Sequence, residues 1–195
     1  MSKRVIRIVI TVTIMAALIV GYYIYLNKRP IKGAEDTIDK SKVGQILSVD
    51  MELNYPTNPH DVVAYYSRVI KAYYDLEYND EQLVELAKHA RATFDDELIG
   101  LNDFDEYFER LQLEIEAYKL AKKKITDYVI ERSLDNELFI DSGQEYARVK
   151  AVYYTRENNS ERKKVYEQYT LRKDANGNWK IVFWEVIPEC IIKGD

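Results

Sequence analysis

Residues 145–186 read EYARVKAVYYTRENNSERKKVYEQYTLRKDANGNWKIVFWEV. Three apolar alternations lie in this stretch, separated by turn chemistry. Ala147, Val149, Ala151 and Tyr153 alternate with Arg148, Lys150, Val152 and Tyr154. Val165, Tyr169 and Leu171 alternate with Tyr166, Gln168 and Thr170, and Trp179, Ile181 and Phe183 with Lys180, Val182 and Trp184. Side chains two apart share one face of a strand, so each run reads as a half-buried strand. Asn158-Asn159-Ser160 and Asp174-Ala175-Asn176-Gly177 supply the hairpin turns, the Asn-Gly step being the strongest signal. Hairpin linkage makes the sheet antiparallel. Unbroken alternation puts Trp179 and Trp184, five positions apart, on opposite faces. Either the strand is buried on both faces or one apolar row is a contact surface; the expectation is that one ring packs against the helices and the other stands on the outer face.

Upstream the apolar period lengthens to that of helices. Asn58-Pro59-His60-Asp61 is a helix start: a capping Asn, Pro at the first helical position and an acid for the macrodipole. Val62, Tyr66, Val69, Ile70 and Tyr73 form its apolar stripe. A second helix follows Asn79, with Leu83, Leu86, Ala87 and Ala90 inward. A third begins near Asn102, with Phe104, Phe108, Leu111, Ile115 and Tyr118 on its apolar face and Lys122-Lys123-Lys124 at its end. A short helix is expected over Val43–Leu47. Asp95-Asp96-Glu97 reads as a solvated helix start. Helices followed by a strand meander define an α+β domain, helices packed on a curved antiparallel sheet, over residues 43–195.

The N-terminus is of another kind. Ile8 to Leu26 carries no charged side chain over 19 residues, roughly 28 Å of helix at about 1.5 Å per residue. That length spans a hydrocarbon core about 30 Å thick. Tyr22, Tyr23 and Tyr25 suit the headgroup region, and Lys28, Arg29 and Pro30 close the segment. The run is too long for a signal peptide, and no Ala-x-Ala-like site follows it. Residues 1–29 are therefore read as an uncleaved membrane anchor contacting the lipid bilayer through 8–26, and residues 30–42 as a tether. The basic N-terminus (Lys3, Arg4, Arg7) stays in the cytoplasm, which makes this a single-pass cell-membrane protein with an extracytoplasmic C-terminal domain. Thr13, Ala17 and Gly21 share one helix face whose small side chains allow close helix–helix approach, a route to a homo-oligomer.

Composition narrows function by exclusion. Of 28 basic residues, six precede Gly33, leaving 22 against all 33 acids, a net of −11 for residues 33–195. A nucleic-acid partner would need a basic domain instead. His60 and His89 do not share a helix. With one cysteine, Cys190, read as a small apolar residue, no metal-ligand spacing and no disulfide arises. No phosphate loop or nucleophile elbow occurs, so neither a cofactor nor a catalytic residue is assigned.

The helix–helix–helix–meander order, ending in Asn178-Trp179-Lys180-Ile181, resembles the cystatin-like cone of the nuclear-transport-factor-two-like superfamily. Asn54-Tyr55-Pro56-Thr57-Asn58-Pro59, Asp95-Asp96-Glu97-Leu98 and Leu171-Arg172-Lys173-Asp174 resemble, more closely, a family of uncharacterised single-pass membrane proteins of Gram-positive anaerobes. The first resemblance implies a pocket between sheet and helices, in some members the site of an isomerase or dehydratase.

Tyrosine is the unusual component, 17 of 195 residues. With three at the membrane end, 14 remain in the domain, including the doublets Tyr65-Tyr66, Tyr73-Tyr74 and Tyr153-Tyr154. Tyrosine packs well at core boundaries and also makes aromatic binding surfaces at low entropy cost. Tyr153, Glu167 and Tyr169 are inward candidates on neighbouring strands. With Trp184 they form the candidate binding surface or pocket, Glu167 alternatively lying at a sheet edge or beside a basic residue. The expected function is binding of a protein or small ligand at the envelope without catalysis. The alternatives are a scaffold subunit of an envelope-spanning secretion or conjugation channel, and a pocket enzyme of isomerase or dehydratase type. A deep pocket holding a carboxylate favours the enzyme; a filled cone with an exposed apolar sheet face favours assembly.

Overall fold

The computed structural model describes residues 41–158 and 160–194. The span at 8–26 and the Thr13, Ala17 and Gly21 face lie outside the described residues. Among the described residues no helix is long and apolar enough to cross a membrane.

Among the described residues five helices precede the sheet: α1 (Lys42–Leu47), α2 (Pro59–Asp75), α3 (Asp80–Arg91), α4 (Asp96–Gly100) and α5 (Phe104–Leu120). Each starts where a side chain can satisfy an orphan amide. Ser41 Oγ accepts from Gly44 N–H, and Asn58 Oδ1 accepts from Asp61 N–H. Asn79 and Gln82 form a reciprocal capping box. The helical stripes pack as their spacing requires: Leu83, Leu86, Ala87 and Ala90 of α3 are all buried. α2 is buried beyond one stripe, at Val63, Tyr65, Ser67 and Ala72 as well, because it touches α1 and α3 on one side and the sheet on the other.

The strands are β1 (Lys123–Ile130), β2 (Glu137–Asp141), β3 (Gln144–Glu157), β4 (Lys163–Lys173) and β5 (Trp179–Ile187). They form one antiparallel sheet in the order β1-β3-β4-β5, and β2 also pairs with β3. β1 takes the far half of β3 (Ala151–Glu157) and β2 the near half (Gln144–Arg148). The domain is α+β, with its core between the helices and the face carrying Ala147, Val149, Ala151, Tyr153, Tyr169 and Leu171.

Three expectations are corrected. The lysine run does not end α5: the helix stops at Leu120, Lys122 turns with φ 49°, and Lys123 and Lys124 open β1. Asp95 is not solvated. It caps α4 but is 5 % exposed and pairs with Arg172 of β4.

The third correction concerns the tryptophans. Leu171 pairs with Ile181, but the next β4 residue, Thr170, pairs with Phe183, so Val182 is an extra residue in β5. One inserted residue in a period-two strand moves everything beyond it to the other face. Trp184 then pairs with Tyr169 and Val186 with Glu167, both on the helix side, while Phe183 joins Thr170 outside. Trp179 and Trp184 therefore share the inner face, 7 % and 37 % exposed respectively.

The outer face has a cover that alternation does not reveal. Val152 and Tyr166 point away from the helices yet are buried. The C-terminal segment reaches this face at Tyr166, whose hydroxyl donates to Glu189, and Arg132 N–H donates to Lys193 O, 2.9 Å. Cys190 lies in this segment, half-buried.

Candidate functional site

A cavity of about 330 Å³ opens between α2, α5 and the sheet. α2 contributes Tyr66, Ile70, Tyr73 and Tyr74 because these recur at helical spacing on the side facing the strands. α5 contributes Tyr107, Arg110, Leu111, Glu114 and Tyr118 by the same periodicity. The floor is Tyr153 of β3, Val165 and Glu167 of β4, and Trp184 of β5.

Three of the four expected site residues, Tyr153, Glu167 and Trp184, line the cavity, and Tyr169 is buried directly behind them. The Tyr169 hydroxyl donates to Glu167 Oε2 at 2.6 Å, the Tyr153 and Tyr169 hydroxyls are 2.8 Å apart, and Ser67 Oγ lies 2.6 Å from the Tyr153 hydroxyl. Each hydroxyl has one proton. With Tyr169 giving its proton to the carboxylate, Tyr153 must donate to Tyr169 and Ser67 to Tyr153. Hydrogen bonds chained in one direction polarise one another. Trp184 stacks on the Tyr169 ring at 6.1 Å and contacts Tyr66 and Phe94 at 5.6 and 5.9 Å.

Glu167 stands at the wet end of this chain. It lies on an inner strand, so the sheet-edge and basic-partner alternatives do not hold; its partner is a tyrosine. Burial raises its pKa above the ordinary carboxyl value, Tyr169 opposes that, and the nearby Glu114 adds to the rise. Burial likewise raises Tyr153 and Tyr169, which stay neutral donors. Tyr74 is raised by burial and then by Glu114. A second buried carboxylate, Glu131, shows the contrast. It accepts from Lys150 N–H at 2.8 Å, with the Lys150 ammonium 3.8 Å away, and belongs to the framework.

Sequence reading reached Tyr66, Tyr73, Tyr74, Tyr118 and Tyr153 as stripe and doublets but missed Tyr107, Glu114 and Ser67. Glu114 sits among Glu106, Glu109 and Glu116 on α5. Its one distinguishing signal is its place a turn from Arg110 and from Tyr118. Ser67 gives no signal, since a serine on a long helix ordinarily faces water.

The segments that carried the resemblance also converge, away from the cavity. The Tyr55 hydroxyl donates to Trp179 O at 2.7 Å, and the Lys180 ammonium lies 4.0 Å from the centre of the Tyr55 ring and donates to Ala92 O. Arg172 joins Asp95 and Glu97. These contacts fasten the 54–59 segment, the start of α4 and the β4–β5 hairpin together, so those motifs are structural.

Fold and site define an α+β domain whose helices and antiparallel sheet enclose a tyrosine-walled cavity with a carboxylate in its floor. The chain matches the family described as domain of unknown function DUF6715 over residues 1–184 and belongs to it. No curated protein matches the chain.

Proposed function

We propose that this chain is a membrane-anchored binding domain. Residues 8–26 hold it in the cell membrane, residues 30–42 tether it, and the α+β domain, a cystatin-like cone, binds a small ligand on the extracytoplasmic side. The observation that carries this reading is the cavity: about 330 Å³, at the lower end of the ~300–1,000 Å³ of ligand pockets. Its lining of aromatic rings with a few polar groups is also what such pockets have. A protein partner would need a face of roughly 800 Å², which a cavity of this size does not offer.

Ile70→Trp should fill the cavity from α2. Ligand-observed NMR with a small-molecule fragment library should then give hits on the native chain that vanish on the variant, with circular dichroism confirming that both are folded. The same hits on both would end the ligand-binding reading.

Topology has its own test. Asn176 is exposed in the β4–β5 hairpin. In a Cys190→Ser background, Asn176→Cys should react with a membrane-impermeant maleimide in intact cells. Labelling seen only after lysis would reverse the orientation.

A second reading, proton-transfer catalysis of isomerase or dehydratase type, is favoured by one observation. Glu167 has a raised pKa and faces the cavity, as a general acid or base must.

A further inference from the structure

Carboxylates outnumber cations along the cavity wall, Glu167 and Glu114 against Arg110. Glu114 contributes to the upward shift at Glu167. Arg110 lines the cavity too, its guanidinium held at the rim by Glu106 and by Asn102, which is itself a lining residue. Nε donates to Glu106 O at 3.2 Å, Nη2 donates to Asn102 Oδ1 at 3.1 Å, and the Glu106 carboxylate is 3.8 Å away. Among the described residues no ion pair joins a cation to Glu114 or Glu167. Two carboxylates facing one partly dry space repel, and that repulsion is relieved most by a positive guest.

The walls restrict what that guest can be. Tyr66, Tyr73, Tyr107 and Tyr153 line the cavity with aromatic side chains. A calcium ion asks for six to eight oxygen ligands and magnesium for near-ideal octahedral geometry, neither of which two carboxylates among aromatic rings supply. A carboxylic acid would bring a third negative charge. An ammonium group instead offers three donors to carboxylate and phenol oxygens, and aromatic faces attract cations.

We propose that the cavity takes a small organic amine, its ammonium group held between Glu167 and Glu114 and its carbon skeleton against the tyrosine rings. This rests on the cavity being a ligand site. The excess of 11 negative charges over residues 33–195 draws cations toward the domain. Tyr169 occupies Glu167 Oε2, which leaves Oε1 to meet the guest.

Three probes on a common phenylethyl skeleton separate charge from shape: 2-phenylethylamine, 2-phenylethanol and 3-phenylpropionate. Isothermal titration of the full-length chain in detergent micelles should show the amine binding at least about 10-fold more tightly than the alcohol, and no binding of the acid. Glu167→Gln should weaken the amine by about 10- to 100-fold, the range for losing a hydrogen bond to a charged group. It should leave the alcohol within about 2-fold. Glu114→Gln, at an exposed helix position, should act in the same direction and covers the case that the buried variant fails to fold. Equal affinity of alcohol and amine, or preference for the acid, would overturn the amine assignment and leave the cavity a ligand site. No binding of any of the three at millimolar concentration would overturn both.

Discussion

Replacing Asp95 by alanine is expected to destabilise the domain by about 3–5 kcal/mol, the range for removing one partner of a buried ion pair. Its carboxylate accepts both Nε and Nη2 of Arg172 and also caps α4 through Glu97 N–H at 3.0 Å. Without it the guanidinium keeps Glu97, whose side chain is largely exposed, and Tyr146. The cap alone is worth about 1 kcal/mol. Asp95→Asn should cost less, because an amide oxygen still caps the helix. The Asp95–Arg172 contact holds α4 to β4, and Asp95 N–H donates to Ile181 O at 2.9 Å along the edge of β5. Chemical denaturation of the chain measures the change. A loss below about 1 kcal/mol would mean that water screens the pair as it does a surface salt bridge.

Trp179→Ala is expected to cost a similar 3–5 kcal/mol, the range for truncating a large aromatic in a packed core. The ring is 7 % exposed, with the Lys173 ammonium 5.4 Å from its centre. Trp184→Ala should cost clearly less, since that ring is 37 % exposed at the cavity, but it should enlarge the cavity and weaken guests that pack against it. Acrylamide quenching of the two single-tryptophan variants separates the rings: Trp184 should quench readily and Trp179 poorly. Equal, strong protection of both would contradict the inner-face placement at the cavity rim.

Much of the architecture was legible in the chain. Asn58, Asn79 and the stripes of α2 and α3 act locally, through amides three residues on and side chains three or four apart, so spacing alone located those helices. The strand runs around Tyr153 and Tyr169 were equally readable, because β3 and β4 keep their alternation along the inner face. That brought Tyr153, Glu167 and Tyr169 together correctly. Lys122-Lys123-Lys124 misled because a lysine run suits the end of a helix and an exposed strand start alike, and the left-handed turn at Lys122 decides between them.

By itself, then, the sequence determined the long helices α2, α3 and α5 and the strands β3, β4 and β5, that the sheet is antiparallel, and that tyrosines and one glutamate share a face. These follow from short-range periodicity and capping, which act within a few residues. Strands β1 and β2 were not read from it. Tertiary structure decided the rest. The bulge at Val182 reversed the facing of Trp184, since a period-two pattern holds only while pairing is uninterrupted and the interruption depends on the neighbouring strand. Arg172 drew Asp95 out of water from 77 positions away. The C-terminal segment reached Tyr166 through Glu189, on the face that alternation assigns to solvent but where Tyr166 is buried. Only the packing of α5 across the sheet turned Glu114, one acid among several on a helix, into the second carboxylate of a cavity.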